Sequence, residues 1–435
     1  MRWLDTYALL QDMNRHLAWP PEALEKYRLW KLRERVRHAY FFSSFYRRRF
    51  EACGVHPDDL RTISDLRLLP LLDKDELRRT DPLEVVTRPP DTPWMVEMTS
   101  GSTGEPLRIY RTWNDLVPIK AKVIRAFTRT GFTLFQRQAV LKSSAESLTG
   151  RHWFERLGVL RKLWLSVSDP PEANLRRLRA FKPRHLHGYP SGLVQLAEWL
   201  EDHGQTLPIP HLCTGAEVLD PVSRRRIAAA FQAEVFDLYA TREVGNIAWE
   251  CRAHQGLHLN DDAMIVEILD ERGEEAAPGV EGEVVVTYLD AADYPFIRYR
   301  LGDRAVRKAG PCPCGVTFSR LELVTGRCDD RILLPSGEWI TGMVFQELRG
   351  TPWASALRLL QDDLASIRLQ VVPRGSWQSA DLEALAARVH DLVRGQLQVR
   401  PEVLADLPRD PSGKLRMVVC ALPSPPSPVS AGDVS

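Results

Sequence analysis

Met98-Thr99-Ser100-Gly101-Ser102-Thr103-Gly104-Glu105-Pro106 stands between two apolar runs, Trp94-Met95-Val96 and Leu107 with Ile109-Tyr110. The pattern predicts two strands joined by a polar loop. Glycine at 101 and 104 lets the backbone turn sharply and approach a ligand closely. Successive N–H groups, with the hydroxyls around them, can wrap phosphate oxygens. The loop is not the P-loop of kinases and GTPases, because no Lys-Ser/Thr pair comes after Gly104 and no helical pattern opens there. An ordinary polar hairpin turn would have the same composition, so the downstream part of the chain must decide between the two.

At 435 residues the chain can hold two or three domains and a sizeable core. Its 58 lysines and arginines nearly balance its 57 aspartates and glutamates. That balance gives no electrostatic reason to invoke nucleic acid or an anionic membrane. No apolar run approaches the roughly 20 residues a membrane helix needs. The start, Met1-Arg2-Trp3-Leu4-Asp5, lacks the apolar core of a signal peptide. A cytoplasmic protein is the expectation. The cysteines are scattered singly apart from Cys312 and Cys314, which argues against a secreted disulfide framework.

Helical spacing runs over residues 22–50, with a break expected near Ser43, and again over 74–79, 113–131, 172–181, 192–200 and 223–231. Apolar strands alternate with them at 139–142, 210–214 and 233–239, which argues for a parallel sheet in an α/β domain. His187, at a strand end, reads as a hydrogen-bonded histidine before it reads as a ligand. Short strands and turn clusters between 258 and 306 suit a β-rich subdomain. A strand at 367–372 and a helix at 380–397 form the centre of a small α+β domain. The expected division is 1–327 for the large α/β domain, 328–422 for a small mobile domain, and 423–435 for a disordered, proline-rich tail.

Together with the glycine loop (Thr99 to Gly104), five further stretches resemble, in order, the motifs of the acyl- and aryl-adenylate-forming superfamily. Gly215-Ala216-Glu217 resembles its adenine-side loop. Tyr239-Ala240-Thr241-Arg242-Glu243 resembles the segment whose aromatic lies against adenine, whose hydroxyl meets phosphate and whose glutamate holds Mg²⁺; one or two carboxylates suffice for such an ion. Here Ala240 replaces glycine, and Arg242 stands in the hydroxyl position, where it can meet phosphate as a charged fork. Thr241 is the alternative hydroxyl. Tyr299-Arg300-Leu301-Gly302-Asp303 resembles the ribose motif, in which Asp303 would present two acceptor oxygens to a cis-diol. Gly326-Arg327-Cys328-Asp329 resembles the interdomain hinge, with Arg327 on the nucleotide and Asp329 as pivot. Pro408-Arg409-Asp410-Pro411-Ser412-Gly413-Lys414 resembles the closing motif, whose lysine reaches the carboxylate and α-phosphate.

Tyr294-Pro295-Phe296-Ile297-Arg298-Tyr299-Arg300 resembles the phenylacetate–CoA ligase branch. The resemblance implies an ATP- and Mg²⁺-dependent acid–thiol ligase with Lys414, Glu243 and Arg242 at its catalytic centre. An acid, aryl or arylacetic on this reading, becomes an acyl-AMP. The small domain then rotates about Asp329 and the acyl group passes to coenzyme A. Tyr189, Pro190 and residues 142–148 are candidates for the wall of the acid pocket. Transfer to a carrier protein or an amine, a non-catalytic nucleotide-binding scaffold, and a homodimer remain open. Cys251, His258, Cys312 and Cys314 form a candidate structural Zn²⁺ site, since sulfur and nitrogen ligands from two segments suit that ion. His254, at the compact Cys-x-x-His spacing, is the alternative to His258.

Overall fold

Three helices that pack on the parallel strands begin at a proline: Pro171–Phe181, Pro190–Asp202 and Pro221–Phe231. Proline suits the first helical turn because its φ is preset and its missing N–H is not needed there. The structure, a computed structural model, describes residues 3–99, 106–143, 158–159, 161–290, 293–328, 330–410 and 413–422. Ser100, Gly101, Ser102, Thr103 and Gly104 of the glycine loop, positions 144–148 of the candidate acid-pocket wall, Asp329 of the hinge motif and the tail 423–435 lie outside the described residues.

The chain divides into two units, Met1–Gly326 with Asp410–Lys414, and Arg327–Arg409 with Leu415–Ser435. In the first, five strands run parallel in the spatial order Lys162–Ser166, Gln138–Lys142, His185–Gly188, His211–Gly215 and Glu234–Thr241. The proline-started helices bury one face of this sheet, around Leu141, Leu165, Leu186, Leu212 and Phe231. The helix Trp113–Arg129 lies on the other, where Phe127 meets His185 and His187 edge-on. Beyond Glu234–Thr241 the eleven-stranded sheet continues through Gly245–Glu250, Leu257–Leu259, Arg320–Arg327, Tyr299–Lys308, Glu281–Tyr288 and Met264–Leu269. This is an α/β fold with a β-rich extension of the same sheet.

The expected break at Ser43 is present. The helix Pro21–Phe42 ends there, and Ser44–Ala52 starts with the Ser43 side chain accepting from the Tyr46 N–H. Ser43 Oγ also donates to the Glu84 carbonyl at 2.8 Å, so this buried hydroxyl is satisfied on both sides. The helix Trp3–His16, for which the sequence pattern gives no expectation, is held by a buried ion cluster. In it, His16 Nδ1 and the Arg125 guanidinium both bond Asp262, at 2.9 Å and 2.7–2.8 Å. The glycine-loop stretch is bounded by a two-stranded hairpin, Met95–Met98 against Arg108–Arg111, as its apolar flanks predict.

The second unit is a four-stranded sheet in the order Gln398–Val403, Ser366–Pro373, Ala354–Gln361, Val418–Cys420, with the helix Ser379–Leu392 against it. That helix is shorter than the predicted 380–397. Arg394 and Gly395 take left-handed φ values of +55° and +68°, which stop it and let the chain turn into the next strand. No helix among the described residues is long and apolar enough to cross a membrane.

Candidate functional site

Ligands of open parallel sheets bind beyond the carboxyl ends of the strands, and the stretches 215–217 and 239–243 lie at two of those ends. The strand His211–Gly215 ends at a glycine because a Cβ on Gly215 would stand 3.1 Å from the Leu238 carbonyl oxygen. Ala216 comes next with φ +70°, a left-handed conformation that costs an L-residue about 1–2 kcal/mol. Strain at the first residue past a strand marks a backbone held for a purpose. The Glu217 carboxylate accepts from the Ser191 N–H at 2.8 Å and the Ser191 hydroxyl at 2.9 Å, so it caps the helix Pro190–Asp202. A nucleotide would therefore meet the backbone of 215–217, with the Glu217 carboxylate occupied in the cap.

The second strand end, Glu234–Thr241, turns through Arg242, Glu243 and Val244 into Gly245–Glu250. Ala240 lies outside the left-handed region, so alanine is accommodated where the related motif has glycine. Two buried basic side chains hold the turn. Arg111 donates to the Arg242 and Glu243 carbonyls at 2.6 and 2.7 Å, and Lys122 donates to the Val244 carbonyl at 2.8 Å. Arg111 also pairs with Glu97 at 2.9 Å, which ties this turn to the hairpin that leads into the glycine loop. At the base of that loop Thr99 bonds Leu107 twice, with the Thr99 N–H on the Leu107 carbonyl and the Leu107 N–H on Thr99 Oγ1. Thr241 Oγ1 accepts from the Val244 N–H at 3.4 Å.

Two motifs far apart in sequence are bolted to each other crosswise. The Tyr239 hydroxyl donates to Asp303 at 2.8 Å, and the Tyr299 hydroxyl donates to Glu243 at 3.4 Å. Each motif thus supplies a tyrosine to the other's carboxylate. Both carboxylates are buried, and Glu243 also faces Lys74 Nζ at 3.3 Å. One or two carboxylates suffice for a divalent cation that also meets phosphate oxygens.

Asp410–Lys414 belongs to this unit as a tight turn in which the Lys414 N–H donates to the Asp410 carboxylate at 3.0 Å. Gly413 there has φ +81°, and a Cβ would come within 2.3 Å of Ser143 Cβ, so glycine is required on both counts. Arg327 closes its strand and falls in the second unit, where its N–H donates to Asp330 at 3.3 Å.

Arg111, Lys122 and Lys74 belong to no motif legible in the sequence. A signal for Lys122 was available. With Pro118, Ala121, Arg125 and Ala126 it forms the buried stripe of Trp113–Arg129, and a lysine on such a stripe has a buried partner. Arg111→Met leaves two carbonyls without their charged donor. The expected outcome is a stability loss of about 1–3 kcal/mol for each, read as a lower denaturation midpoint.

A second cluster lies in the β-rich part. The donor atoms of Cys251, His258, Cys312 and Cys314 are all within 4.8 Å of one another. Cys251 Sγ is 3.7 Å from Cys312 Sγ, and Cys314 Sγ is 3.3 Å from His258 Nε2. A tetrahedral ion with sulfur at about 2.3 Å and nitrogen at about 2.0 Å sets sulfur pairs roughly 3.8 Å apart and sulfur–nitrogen pairs roughly 3.5 Å apart. The observed spacings fit. His254 is engaged elsewhere, with Glu250 at 3.0 Å and Glu234 at 3.3 Å, and these carboxylates raise its pKa.

Comparison with known proteins agrees with this arrangement. The family described as AMP-binding enzyme matches residues 51–288. Phenylacetate-coenzyme A ligase of Pseudomonas putida is 29% identical over 350 residues, covering 75% of this chain and 76% of that protein. The protein of the same name from Escherichia coli K12 is 29% identical over 326 residues, covering 70% and 71%. Among solved structures, 2-hydroxyisobutyryl-CoA ligase in its postadenylation state with 2-HIB-AMP aligns with a TM-score of 0.77. The identity is 21%, over 94% of this chain and 91% of that one, a likeness of fold.

Proposed function

The chain belongs to the AMP-binding enzyme family, and from that premise we propose that it is an ATP-dependent acid–thiol ligase that makes an acyl-AMP and passes the acyl group to coenzyme A. The observation that carries the reading is the crossed pair Tyr239–Asp303 and Tyr299–Glu243 beside the carboxyl ends of the parallel strands. It holds a diol-binding carboxylate and a cation-binding carboxylate in one fixed relation, which a nucleoside triphosphate requires and a bare structural core does not.

In the first step a carboxylate oxygen of the acid attacks the α-phosphorus of ATP, and the bond to pyrophosphate breaks. Asp303 accepts from the ribose hydroxyls. Arg242 and Lys414 offset the charge that gathers on the phosphoryl oxygens. Glu243 is the residue that would hold Mg²⁺, with Lys74 in the neighbouring position. Bound there, it would supply positive charge to neutralise the phosphate oxygens. In the second step the CoA thiolate attacks the acyl carbon and AMP departs. The substrate class we favour is an aryl or arylacetic acid, on the similarity to phenylacetate-coenzyme A ligases. ATP–pyrophosphate exchange across aryl, arylacetic and fatty acids tests the first step. Offering CoA, a pantetheinylated carrier protein or an amine to the product tests the second.

Cys251, His258, Cys312 and Cys314 hold a structural Zn²⁺ that pins the turn after Tyr299–Lys308 to the strand Leu257–Leu259. Zinc is expected to co-purify near one equivalent. Cys312→Ser with Cys314→Ser should lose it and lower the melting temperature, because such binding is coupled to folding. A metal-free protein with an unchanged melting curve removes the site. None of the seven cysteines forms a disulfide, which supports a reducing, cytoplasmic setting.

A further inference from the structure

The four sulfur and nitrogen donors of the cysteine–histidine cluster come from two segments of the chain. Cys251 and His258 lie on either side of the turn at 252–256, and Cys312 and Cys314 lie in the connection between Tyr299–Lys308 and Arg320–Arg327. One side chain bonds both segments. Arg320 is 3% exposed. Its Nη1 donates to the Gln255 carbonyl at 2.7 Å, and its Nη2 donates to the Gly310 and Pro311 carbonyls, each at 2.9 Å. Gln255 stands between Cys251 and His258, and Pro311 immediately precedes Cys312. The two arms of a single guanidinium therefore tie one ligand-bearing segment to the other.

Strand pairing fixes where this arginine stands. Arg320 is directly opposite His258 in the antiparallel ladder of Arg320–Arg327 with Leu257–Leu259, so the two side chains share a face of the sheet. The turn closes tightly onto the same strand. Gly256 has φ +92°, and a Cβ there would stand 2.3 Å from the Leu321 carbonyl oxygen, so only glycine lets the chain come this near. On the other side of Arg320, the Leu259 N–H donates to the Ser319 carbonyl at 2.9 Å, and the Ser319 hydroxyl donates to Asp261 at 2.8 Å.

The arrangement asks for arginine in particular. A planar fork has donors on both arms and can span two sets of acceptors, whereas a lysine ammonium is one point on a flexible stem. Charge points the same way. Zn²⁺ bound by three thiolates and a neutral imidazole carries one net negative charge, and a buried guanidinium bonded to the residue before Cys312 offsets it.

We propose that Arg320 is the positioning residue of this metal site. It sets the Cys251–His258 segment against the Cys312–Cys314 segment by bonds that need no ion, and it supplies the counter-charge to the tris-thiolate centre. This rests on the zinc reading above and goes beyond it. Groups that orient metal ligands from outside the coordination sphere change metal affinity by about 10–100-fold when they are lost.

The test is the zinc affinity of the full-length protein, measured by competition with a chromogenic chelator at a temperature where each variant is folded by circular dichroism. Arg320→Met should weaken zinc binding by about 10–100-fold. Arg320→Lys, which keeps the charge without the fork, should weaken it by a smaller factor, at least about threefold. Arg304→Met is the control. It removes a guanidinium of the same sheet that pairs with Glu281 at 2.9 Å, and it should leave zinc affinity within about threefold of wild type even if the melting temperature falls. An Arg320→Met protein that binds zinc as tightly as wild type overturns the inference and leaves the metal site in place. So does equal weakening in Arg304→Met, which would make the loss a property of the sheet. Failure of both Arg320 variants to fold with zinc in excess also overturns it, since Arg320 would then hold the fold and not the site. A wild-type protein that takes up no zinc overturns the metal reading itself and this inference with it.

Discussion

Glu243→Gln is expected to lower acyl-AMP formation by roughly 10³-fold while the protein remains folded. Neutralising phosphate charge with a divalent cation contributes several kcal/mol to such a transition state, and about 1.4 kcal/mol corresponds to each factor of ten. The amide keeps the shape of the side chain and can still accept from the Tyr299 hydroxyl, which now stands at 3.4 Å. It loses the charge that holds the cation. Lys74, 3.3 Å from Glu243, is left without its partner, but its side chain retains 24% exposure and can be solvated, so the stability cost stays modest. Pyrophosphate exchange measured against Mg²⁺ concentration, beside a thermal melt, separates the two effects. Activity within about threefold of wild type at ordinary Mg²⁺ would remove Glu243 from the metal site.

The pairing of Glu243 with Tyr299 also marks where sequence reading reaches its limit. The strand ends at Gly215 and Thr241, the hairpin around the glycine loop and the helix break at Ser43 are local events. Each is written in glycine, proline, a capping hydroxyl or an alternating apolar pattern. The order of the motifs is likewise a one-dimensional property. The bonds that hold them together are not. Arg111 reaches the 242–243 carbonyls from 131 and 132 residues away, and Tyr239 reaches Asp303 from 64. Side-chain bonds of this kind leave no periodic trace, because one arginine in an edge strand reads like any solvated one. Glu217 shows the converse. Its motif suggests a ligand contact, while its carboxylate caps the helix Pro190–Asp202. The grouping of Cys251, His258, Cys312 and Cys314 was legible because metal ligands impose residue type and spacing together, and the distances set His258 rather than His254 beside the three sulfurs.

Lys414→Ala separates a two-step enzyme from a protein that only binds nucleotide. Lysine is a compact charge on a flexible stem, useful where negative charge develops in a water-poor site. Its loss should cut acyl-AMP formation by roughly 10²-fold or more, the scale of one missing charge contact at such a centre. The backbone on either side of it is held by local bonds. Gly413 at φ +81° cannot be replaced without meeting Ser143, and Asp410 binds both the Gly413 and Lys414 N–H groups, through its carbonyl at 2.8 Å and its carboxylate at 3.0 Å. The alanine variant should therefore keep the turn and lose only the ammonium. Thioester formation from supplied acyl-AMP should fall by less than about threefold, because on the proposed alternation about Asp329 the lysine has left the site before the thiolate attacks. Asp329→Pro is expected to behave in the opposite way, sparing adenylation and blocking the second step, since proline fixes φ at the residue that resembles the family's pivot. Rapid-quench measurement of both half-reactions on both variants yields four rates. Equal damage to the two steps by Lys414→Ala would mean that the lysine serves both, and the alternation of arrangements about Asp329 would then have no support in this protein.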